Sequence, residues 1–434
     1  MRLSWFGIAL ATASLSLLAN HAQAASKETV LHSFGAGVDG ITPEGGLISD
    51  AAGNLYGITS QGGRASFGGT VFKLAPPAAG KSTWTESVLH SFAGTPEAGL
   101  IIDKAGNLYG TTGFGGVPSK KCANGCGTVF KLTPPPAGKA AWTETVLFSF
   151  NDIDGSLPAG RLVFDAAGNL YGTTEDGGSL GYGTVFKLTP PAAGKTAWME
   201  TVLFSFSDTD GADPQAGLIF DKAGNLYGTT SYGGNVNACP ATTGLGAGCG
   251  VVFELTPPAH GKSAWTETTV FSLNNTMGNN PLANLLLDAK GDLYGTTFGT
   301  ASGHGSTVFE LMPPAAGKAS WKAVVLTSFK GTNGAFADGS LIFDKAGNLY
   351  GVTGGGGSST CRNGGCGTVF KLTPPAAGKT NWTETVLYKF LATGGNPNPP
   401  FPQGSLIFDK AGNLYGETEA GGLYSGGTVF KLTP

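Results

Sequence analysis

Charged residues are scarce in this chain. They make up 13% of its 434 residues, and the formal net charge is −3. So small a net charge argues against nucleic acid or an anionic membrane surface as the partner. After residue 24 no apolar run is long enough to span a bilayer, and no stretch has the ~3.6-residue apolar period of a helix. We therefore expect a β-rich protein with no membrane span in its mature chain.

The first 24 residues differ in character from the rest. Arg2 gives a positive start, residues 3–18 are apolar or small, and Ala-Gln-Ala at 22–24 fits a small-x-small cleavage site. This pattern predicts a secretory signal peptide over 1–24. No cysteine follows the apolar run, so no lipid anchor is suggested. We expect export to the periplasm or the medium, with 25–434 as the mature chain.

Glycine is abundant, at 72 residues, and it recurs periodically. A Leu-Tyr-Gly segment occurs seven times, and each copy is followed by Val-Phe-(Lys/Glu)-Leu. The tyrosines are Tyr56, Tyr109, Tyr171, Tyr227, Tyr294, Tyr350 and Tyr415, and the phenylalanines are Phe72, Phe130, Phe186, Phe253, Phe309, Phe370 and Phe430. The period runs from 53 residues (Tyr56 to Tyr109) to 67 (Tyr227 to Tyr294). Such a repeat, rich in β-branched and aromatic residues, predicts a propeller rather than several unlike domains.

Each repeat contains four short strand patterns, which we call A to D. In the repeat at 217–273 these are 217–221, 226–230, 251–255 and 265–273, separated by Gly, Pro, Asn and Asp. The fold class predicted is all-β: a single seven-bladed β-propeller over 25–434, with four antiparallel strands per blade. Residues 28–34 match strand D, whereas 428–434 form a strand C. The ring is therefore expected to close when the N-terminal strand joins the last blade.

Loop lengths distinguish the two faces of the disc. The A–B spacing is constant (Asp50 to Tyr56 in the first repeat), as is the C–D spacing. The B–C spacing varies from 15 residues (Tyr171 to Phe186) to 26 (Tyr227 to Phe253), and the D–A spacing varies as well. Because antiparallel strands alternate in direction, all the variation falls on one face, which we call the variable face. Variable loops on a rigid scaffold commonly carry recognition, so this is the candidate functional face.

The repeats resemble a known family, the GloVer (choice-of-anchor) tandem-repeat family of exported bacterial proteins. The residues that carry the resemblance are Gly-Leu-Ile-Phe-Asp-Lys-Ala-Gly-Asn-Leu-Tyr-Gly-Thr-Thr at 217–230 and Gly-Thr-Val-Phe-Lys-Leu-Thr-Pro at 183–190. It covers essentially the whole mature chain. The resemblance implies an exported β-propeller, and it brings no established activity and no catalytic residues.

The six cysteines form three local pairs in the three longest B–C connections. They are Cys122 with Cys126, Cys239 with Cys249, and Cys361 with Cys366. An even count in an exported chain favours disulfides. Zinc would need four converging ligands, and these loops contain no histidine. We therefore predict disulfides, no metal and no cofactor.

Two recurring acidic motifs indicate turns rather than catalytic or calcium-binding sites. The Asp-x-x-Gly-Asn motif recurs in nearly identical form in every repeat, from Asp50 to Asp409, which is typical of turn chemistry. Asp-x-Asp-Gly at 152–155 and 208–211 resembles the start of a calcium loop, but the later glutamate is missing. A turn is the favoured interpretation there, with calcium as the alternative.

Side chains that break the repeat on the variable face are the candidate ligand-binding residues. They are Arg64, Phe114, Arg161, Glu175, Asp176, Tyr182, Tyr232, His304, Arg362, Glu417, Glu419 and Tyr424. Arg161 is expected to point toward the central mouth. Polar and aromatic groups around a concave mouth suit a saccharide or peptide.

Two functions remain open on the sequence. The first is an exported, monomeric, non-catalytic binding module for a glycan or an extracellular protein. The alternative is a polysaccharide lyase or glycosidase at the central mouth. A lyase would use Tyr182, Tyr232 or His304 as base and Arg161 to neutralise a uronate. A glycosidase needs two separated carboxylates, but Glu175/Asp176 and Glu417/Glu419 are only sequence neighbours. No residue is therefore assigned as catalytic.

Overall fold

A computed structural model describes residues 26–35, 37–64, 68–240, 246–299, 305–315, 318–358, 361, 365–392 and 400–433. These residues form 28 strands in seven four-stranded antiparallel sheets, and they contain no helix. The sheets are the blades of a seven-bladed β-propeller. The fold class predicted from the repeat is confirmed.

The strands follow one another blade by blade. Blade 1 contains β2 (Ile41–Ser49), β3 (Leu55–Gln61), β4 (Thr70–Ala75) and β5 (Thr85–Ser91). Blade 2 contains β6 (Ile101–Ile102), β7 (Leu108–Thr112), β8 (Thr128–Thr133) and β9 (Thr143–Ser149). Blade 3 contains β10 (Val163–Phe164), β11 (Leu170–Thr174), β12 (Thr184–Thr189) and β13 (Met199–Ser205).

The second half repeats this order. Blade 4 contains β14 (Ile219–Phe220), β15 (Leu226–Thr230), β16 (Val251–Thr256) and β17 (Thr266–Ser272). Blade 5 contains β18 (Leu286–Leu287), β19 (Leu293–Thr297), β20 (Thr307–Met312) and β21 (Lys322–Ser328). Blade 6 contains β22 (Ile342–Phe343), β23 (Leu349–Thr353), β24 (Thr368–Thr373) and β25 (Thr383–Lys389). Blade 7 contains β26 (Pro402–Phe408), β27 (Leu414–Thr418), β28 (Thr428–Thr433) and the N-terminal β1 (Lys27–Ser33).

The N-terminal strand closes the ring, as the sequence predicted. β1 pairs antiparallel with β28, from Lys27 opposite Thr433 to Ser33 opposite Thr428. Directly after β1, Phe34 is fully buried, and its ring lies 4.9 Å from that of Phe72 in blade 1. The first segment of the chain therefore joins the last blade and also packs against the first.

The Leu-Tyr-Gly and Val-Phe segments recur together because the glycine of the first pairs with the phenylalanine of the second on the neighbouring strand. In blade 1, Gly57 of β3 is paired with Phe72 of β4. A Cβ on Gly57 would lie 2.5 Å from Cζ of Phe72. The same pairing occurs in all seven blades, and all seven phenylalanines are fully buried. The glycine is needed so that the ring of strand C can lie flat on strand B.

In five repeats the tyrosine links its own turn to the next blade, whereas Tyr294 donates to Glu310 on strand C instead of to its turn. In blade 1 the Tyr56 hydroxyl donates to Asp50 Oδ2 (3.0 Å), and Asp50 Oδ1 accepts the backbone N–H groups of Ala52 and Asn54. In blade 3 the ring of Tyr171 packs edge-on against Phe220 of blade 4. The contacts of the Asp-x-x-Gly-Asn motif are those of a turn, as the sequence indicated.

Strand A is shorter than the sequence suggests. In blades 2 to 6 only two residues pair with strand B, so the predicted strand at 217–221 is reduced to Ile219–Phe220. The preceding backbone bonds to neighbouring blades instead. Gly217 N donates to Asn284 Oδ1, and Ala216 O accepts from the Thr173 hydroxyl. This backbone surrounds the central opening, where it positions the candidate site.

Candidate functional site

A cavity of about 1320 Å³ opens at the centre of the variable face, and we call it the mouth. Its wall includes Phe114 and Asn124 from the B–C connection of blade 2, and Ala93 and Gly94 from the D–A connection that enters that blade. The cavity is thus built from the two kinds of connection whose lengths vary. A cavity of this size suits a small ligand or part of a polymer chain.

One equivalent residue from every blade lines the mouth. We call this set the mouth ring, and it consists of Glu44, Glu97, Ala159, Gln215, Leu282, Asp338 and Gln403. Each follows a proline, except Asp338, which follows Ala337. Two residues before the ring residue, the backbone is left-handed in five blades, for example at Leu157 (φ 54°) and Phe336 (φ 59°). That conformation is costly for non-glycine residues, and here it turns the chain so that the ring residue reaches the mouth.

A second layer of polar side chains braces the wall of the mouth two residues further along strand A. Asn284 Oδ1 accepts the N–H of Gly217 (2.6 Å), and Ser340 Oγ accepts the N–H of Asn284 (3.1 Å). Arg161 Nε donates to the carbonyl of Leu100 (3.2 Å). Each bond joins adjacent blades. The wall is therefore held rigid by contacts that cross the blade interfaces.

Four carboxyl groups line the mouth, and each has a raised pKa. Burial raises the pKa of Glu44 to about 8, aided by the nearby carboxyls of Glu419 and Glu97 and opposed by a hydrogen bond with Ser60. Burial likewise raises the pKa of Asp338 to about 8 and that of Glu97 to about 7.

Glu175 is the fourth carboxyl. Burial raises its pKa to about 7, with neighbouring carboxyls, Glu97 among them, adding to the rise. Gln215 Nε2 donates to Glu175 Oε1 (3.0 Å). Arg161 is the one basic side chain that lines the mouth in the described residues, and burial lowers its pKa. The mouth is therefore rich in acidic groups that are protonated more readily than usual.

Two buried oxygen atoms in the mouth ring have no hydrogen-bond partner among the described residues. They are Asp338 Oδ1 in blade 6 and Gln403 Oε1 in blade 7, and both atoms are buried. Both residues line the cavity. A buried acceptor without a donor is unfavourable, so these atoms are positioned to accept from a molecule in the mouth.

The structure places only some of the residues proposed from the sequence at the mouth. Phe114, Arg161 and Glu175 line the mouth, and Phe114 is 43% exposed. Glu419 lies beside the mouth, and its carboxyl raises the pKa of Glu44 and of Asp338. Arg64, Asp176, Tyr182, Tyr232 and Tyr424 lie on the loops, outside the mouth lining. His304 and Arg362 lie outside the described residues. A role for any of them in binding stays a prediction.

The placement of Glu417 on the blade 7 loop needs correction. Glu417 lies within β27, its exposed fraction is 1%, and it faces the seam between blades 7 and 1. Its Oε2 accepts the N–H of Gly46 (3.1 Å). Blades 3 to 5 carry Thr173, Thr229 and Thr296 at this position, and each donates to a carbonyl just before strand A of the next blade. Glu417 makes a contact across the same kind of seam, but it accepts from an N–H instead.

All three cysteine pairs are disulfides, as predicted. They join Cys122 to Cys126, Cys239 to Cys249 and Cys361 to Cys366. Cys126, Cys249 and Cys366 are buried next to the strand C residues that follow them. The disulfides therefore anchor the three longest B–C loops to the body of the blade. The described residues contain no group of three His, Cys, Asp or Glu side chains suited to a metal ion.

Sequence reasoning missed the mouth ring, since none of its seven residues was proposed. Glu44, Glu97 and Asp338 were not proposed, although a signal for them exists. The ring position follows the proline of the D–A connection and changes from blade to blade, whereas the leucine three residues later is constant, from Leu47 to Leu406. A position that varies within a constant frame is the pattern expected of a site built once per ring.

These features define the class of protein: a seven-bladed β-propeller with a polar mouth on its variable face. The chain belongs to the Gloeobacter/Verrucomicrobia repeat family, whose model matches residues 18–240 and 239–434. The comparison with curated proteins finds no match.

Several solved structures are similar to the chain. The extracellular domain of a hybrid two-component system from B. thetaiotaomicron is 13% identical, with a TM-score of 0.50, over 94% of this chain and 42% of that one. A Trichoderma reesei protein of Carbohydrate-Active Enzymes Family AA12 is 12% identical, with a TM-score of 0.44, over 95% and 96%. PhoX of Pseudomonas fluorescens is 12% identical, with a TM-score of 0.45, over 94% and 95%. At these identities the likeness concerns the fold alone.

The family and the disulfides fit an extracellular or periplasmic protein. In the described part of the chain no helix has the length and apolarity needed to cross a membrane. The signal peptide predicted over 1–24 lies outside the described residues.

Proposed function

We propose that this protein is an exported binding module that takes an extracellular glycan in the mouth of its variable face. The observation that carries the proposal is the mouth ring. It places side chains of different chemistry from all seven blades around one cavity. The opposite face has nearly the same short turn in every blade, so no blade there offers distinct chemistry.

The chemistry of the mouth supports a saccharide. Carboxyl, amide and hydroxyl groups converge on the cavity, and sugar hydroxyls can both donate to them and accept from them. The exposed ring of Phe114 at the rim offers a flat apolar surface for the face of a sugar. A concave polar site with an aromatic wall favours a glycan over a broad protein interface, which is normally flatter.

Binding tests on the mature protein check this proposal. Isothermal titration against a panel of neutral, acidic and amine-bearing oligosaccharides is expected to give at least one ligand. Phe114→Ala is expected to weaken its binding by about tenfold, whereas Lys345→Ala, on the opposite face, has no effect. If no oligosaccharide binds, or if Lys345→Ala abolishes binding and Phe114→Ala does not, the proposed site is wrong.

Glycoside hydrolysis is a second candidate, favoured by one observation. Glu97 and Glu175 lie close enough for the Glu97 carboxyl to raise the pKa of Glu175, and both groups have a pKa of about 7. A raised carboxyl pKa is what a general acid needs. A lyase receives less support, because two of its three proposed bases, Tyr182 and Tyr232, lie outside the mouth lining. Assay of the same panel for new reducing ends tests hydrolysis, and Glu175→Gln should abolish any turnover.

A further inference from the structure

The mouth has a strong imbalance of charge-bearing groups. Glu44, Glu97, Glu175 and Asp338 line it, against the single basic side chain of Arg161 in the described part of the chain. The Arg161 side chain is not free to pair with these carboxyls, because its Nε donates to the carbonyl of Leu100. A uronate or another anionic sugar would meet four acidic groups in a partly desolvated cavity. Its one basic partner in the described lining is already bonded to the backbone, so an anionic sugar would gain little there to offset the loss of its hydration.

The mouth also lacks hydrogen-bond donors where it most needs them. Asp338 Oδ1 and Gln403 Oε1 are buried acceptors on adjacent blades, with no donor among the described residues. An ammonium group carries three donors and a positive charge, so it matches both the vacant acceptors and the acidic surroundings. A neutral hydroxyl supplies one donor and no charge.

From this arrangement we infer that the ligand is an oligosaccharide with free amino groups, whose ammonium is held between Asp338 and Gln403 while a sugar ring stacks on Phe114. The inference rests on the proposed function and narrows it to one class of glycan. Glu44 and Glu97, the ring residues of the next two blades beyond Gln403, add acceptors on that side of the pair.

The protonation of the carboxyls in the mouth gives the binding a characteristic signature. Burial raises the pKa of Asp338 and of Glu44 to about 8, so these carboxyls hold protons at neutral pH. An ammonium beside them favours the ionised form, and a ligand that lowers a carboxyl pKa by one unit binds the ionised form about tenfold more tightly than the protonated form. Binding is therefore accompanied by release of protons to the buffer.

The experiment uses two ligands that differ only in the amino group. Oligomers of β-1,4-linked glucosamine and the N-acetylated oligomers of the same length are titrated into the mature protein at slightly acidic pH. The amine-bearing oligomer is expected to bind at least about tenfold more tightly. Its heat should depend on the ionisation enthalpy of the buffer, since protons are released.

Matched variants locate the effect. Asp338→Asn and Glu97→Gln are each expected to weaken binding of the glucosamine oligomer by about tenfold. Their effect on the N-acetylated oligomer, which has no ammonium to lose a partner, should be clearly smaller. Glu144→Gln removes a carboxyl from the outer strand β9, away from the mouth, and is the control. Circular dichroism of each variant confirms that the fold is kept.

The outcomes separate the inference from the proposed function. If the N-acetylated oligomer binds equally well or better and Phe114→Ala weakens it, the inference is wrong and the glycan-binding proposal stands. If Glu144→Gln weakens glucosamine binding as much as Asp338→Asn does, the attraction is a non-specific charge effect and the inference is wrong. If no oligosaccharide of any class binds, both are wrong.

Discussion

Glu417 Oε2 accepts a hydrogen bond from the N–H of Gly46, 3.1 Å away, across the seam that closes the ring. The two residues are 371 positions apart in the sequence. Burial raises the pKa of Glu417 well above its ordinary value, and its Oε1 has no partner among the described residues. The last and first blades are thus joined through a carboxyl group that favours its protonated form.

This seam predicts a pH-dependent stability. Since the folded pKa of Glu417 lies above the unfolded one, its contribution is fully present below the unfolded pKa and is lost as the pH rises through the folded pKa. Glu44 and Asp338, with pKa values of about 8, act in the same direction. The melting temperature is expected to fall from pH 5 to pH 8.

Glu417→Gln should make that decline shallower, because the amide cannot ionise. The difference from the parent protein between the two pH values is expected to be on the order of 1 kcal/mol, or about 2 °C in melting temperature. Lys345→Gln is the control, with a slope like that of the parent, because Lys345 is exposed on the face opposite the mouth. Scanning calorimetry at several pH values measures the effect, and an unchanged slope in Glu417→Gln would contradict this account of the seam.

Gly228→Ala is expected to destabilise blade 4. The added Cβ would lie 2.5 Å from Cζ of Phe253 and 2.9 Å from Cδ2 of Leu218, and Phe253 is fully buried. Overpacking of this kind costs about 1–3 kcal/mol. Gly37→Ala is the matched control, since a Cβ there meets nothing within 4 Å. Urea unfolding should show a lower midpoint for Gly228→Ala alone; equal midpoints would mean that Phe253 can move aside.

Deletion of residues 28–34 is expected to abolish cooperative unfolding. It removes nearly all of β1, leaving β28 as an exposed edge, and it removes the buried ring of Phe34. Val30→Thr is the control because Val30 is 46% exposed on the outer strand. Calorimetry of the truncated chain should lack the sharp transition of the parent. A truncated chain with the same melting profile would show that the seven blades hold together without β1.

The disulfides are expected to form in the exported protein and to stabilise individual loops. Intact-mass analysis with and without reductant should show no free thiol before reduction and six after it. Replacing Cys239 and Cys249 by serine should cost about 2–3 kcal/mol, and replacing Cys122 and Cys126 somewhat less, because the closed loop is shorter. Limited proteolysis measures the effect, and the affected B–C loop of each double variant should be cleaved faster than in the parent. Cleavage at the parent's rate in both variants would mean that the loops are held by other contacts.

Local patterns in the sequence were sufficient to predict the propeller scaffold. The opposition of Gly57 and Phe72, the turn at Asp50 and the spare strand at 28–34 depend on contacts that recur seven times, so any one repeat can be interpreted with the others. The cysteine pairs were predictable for a related reason, since each pair is close in sequence.

The candidate site depended on the closed ring. Glu44, Asp338 and Gln403 are far apart in the sequence, and they meet only because seven blades place equivalent positions around one axis. Glu417 also shows that local sequence does not determine the position of a side chain, because here it suggested a binding residue where the structure has a buried one. Its sequence neighbours suggested a loop position, yet the pleat of β27 turns its side chain into the interface with blade 1. The sequence by itself determined the repeat, the blade and the closure, because these follow from contacts that every repeat shares, including the pairing of strands C and D that β28 and β1 reproduce. Burial and charge at the mouth were decided by the tertiary structure, because each depends on residues supplied by other blades.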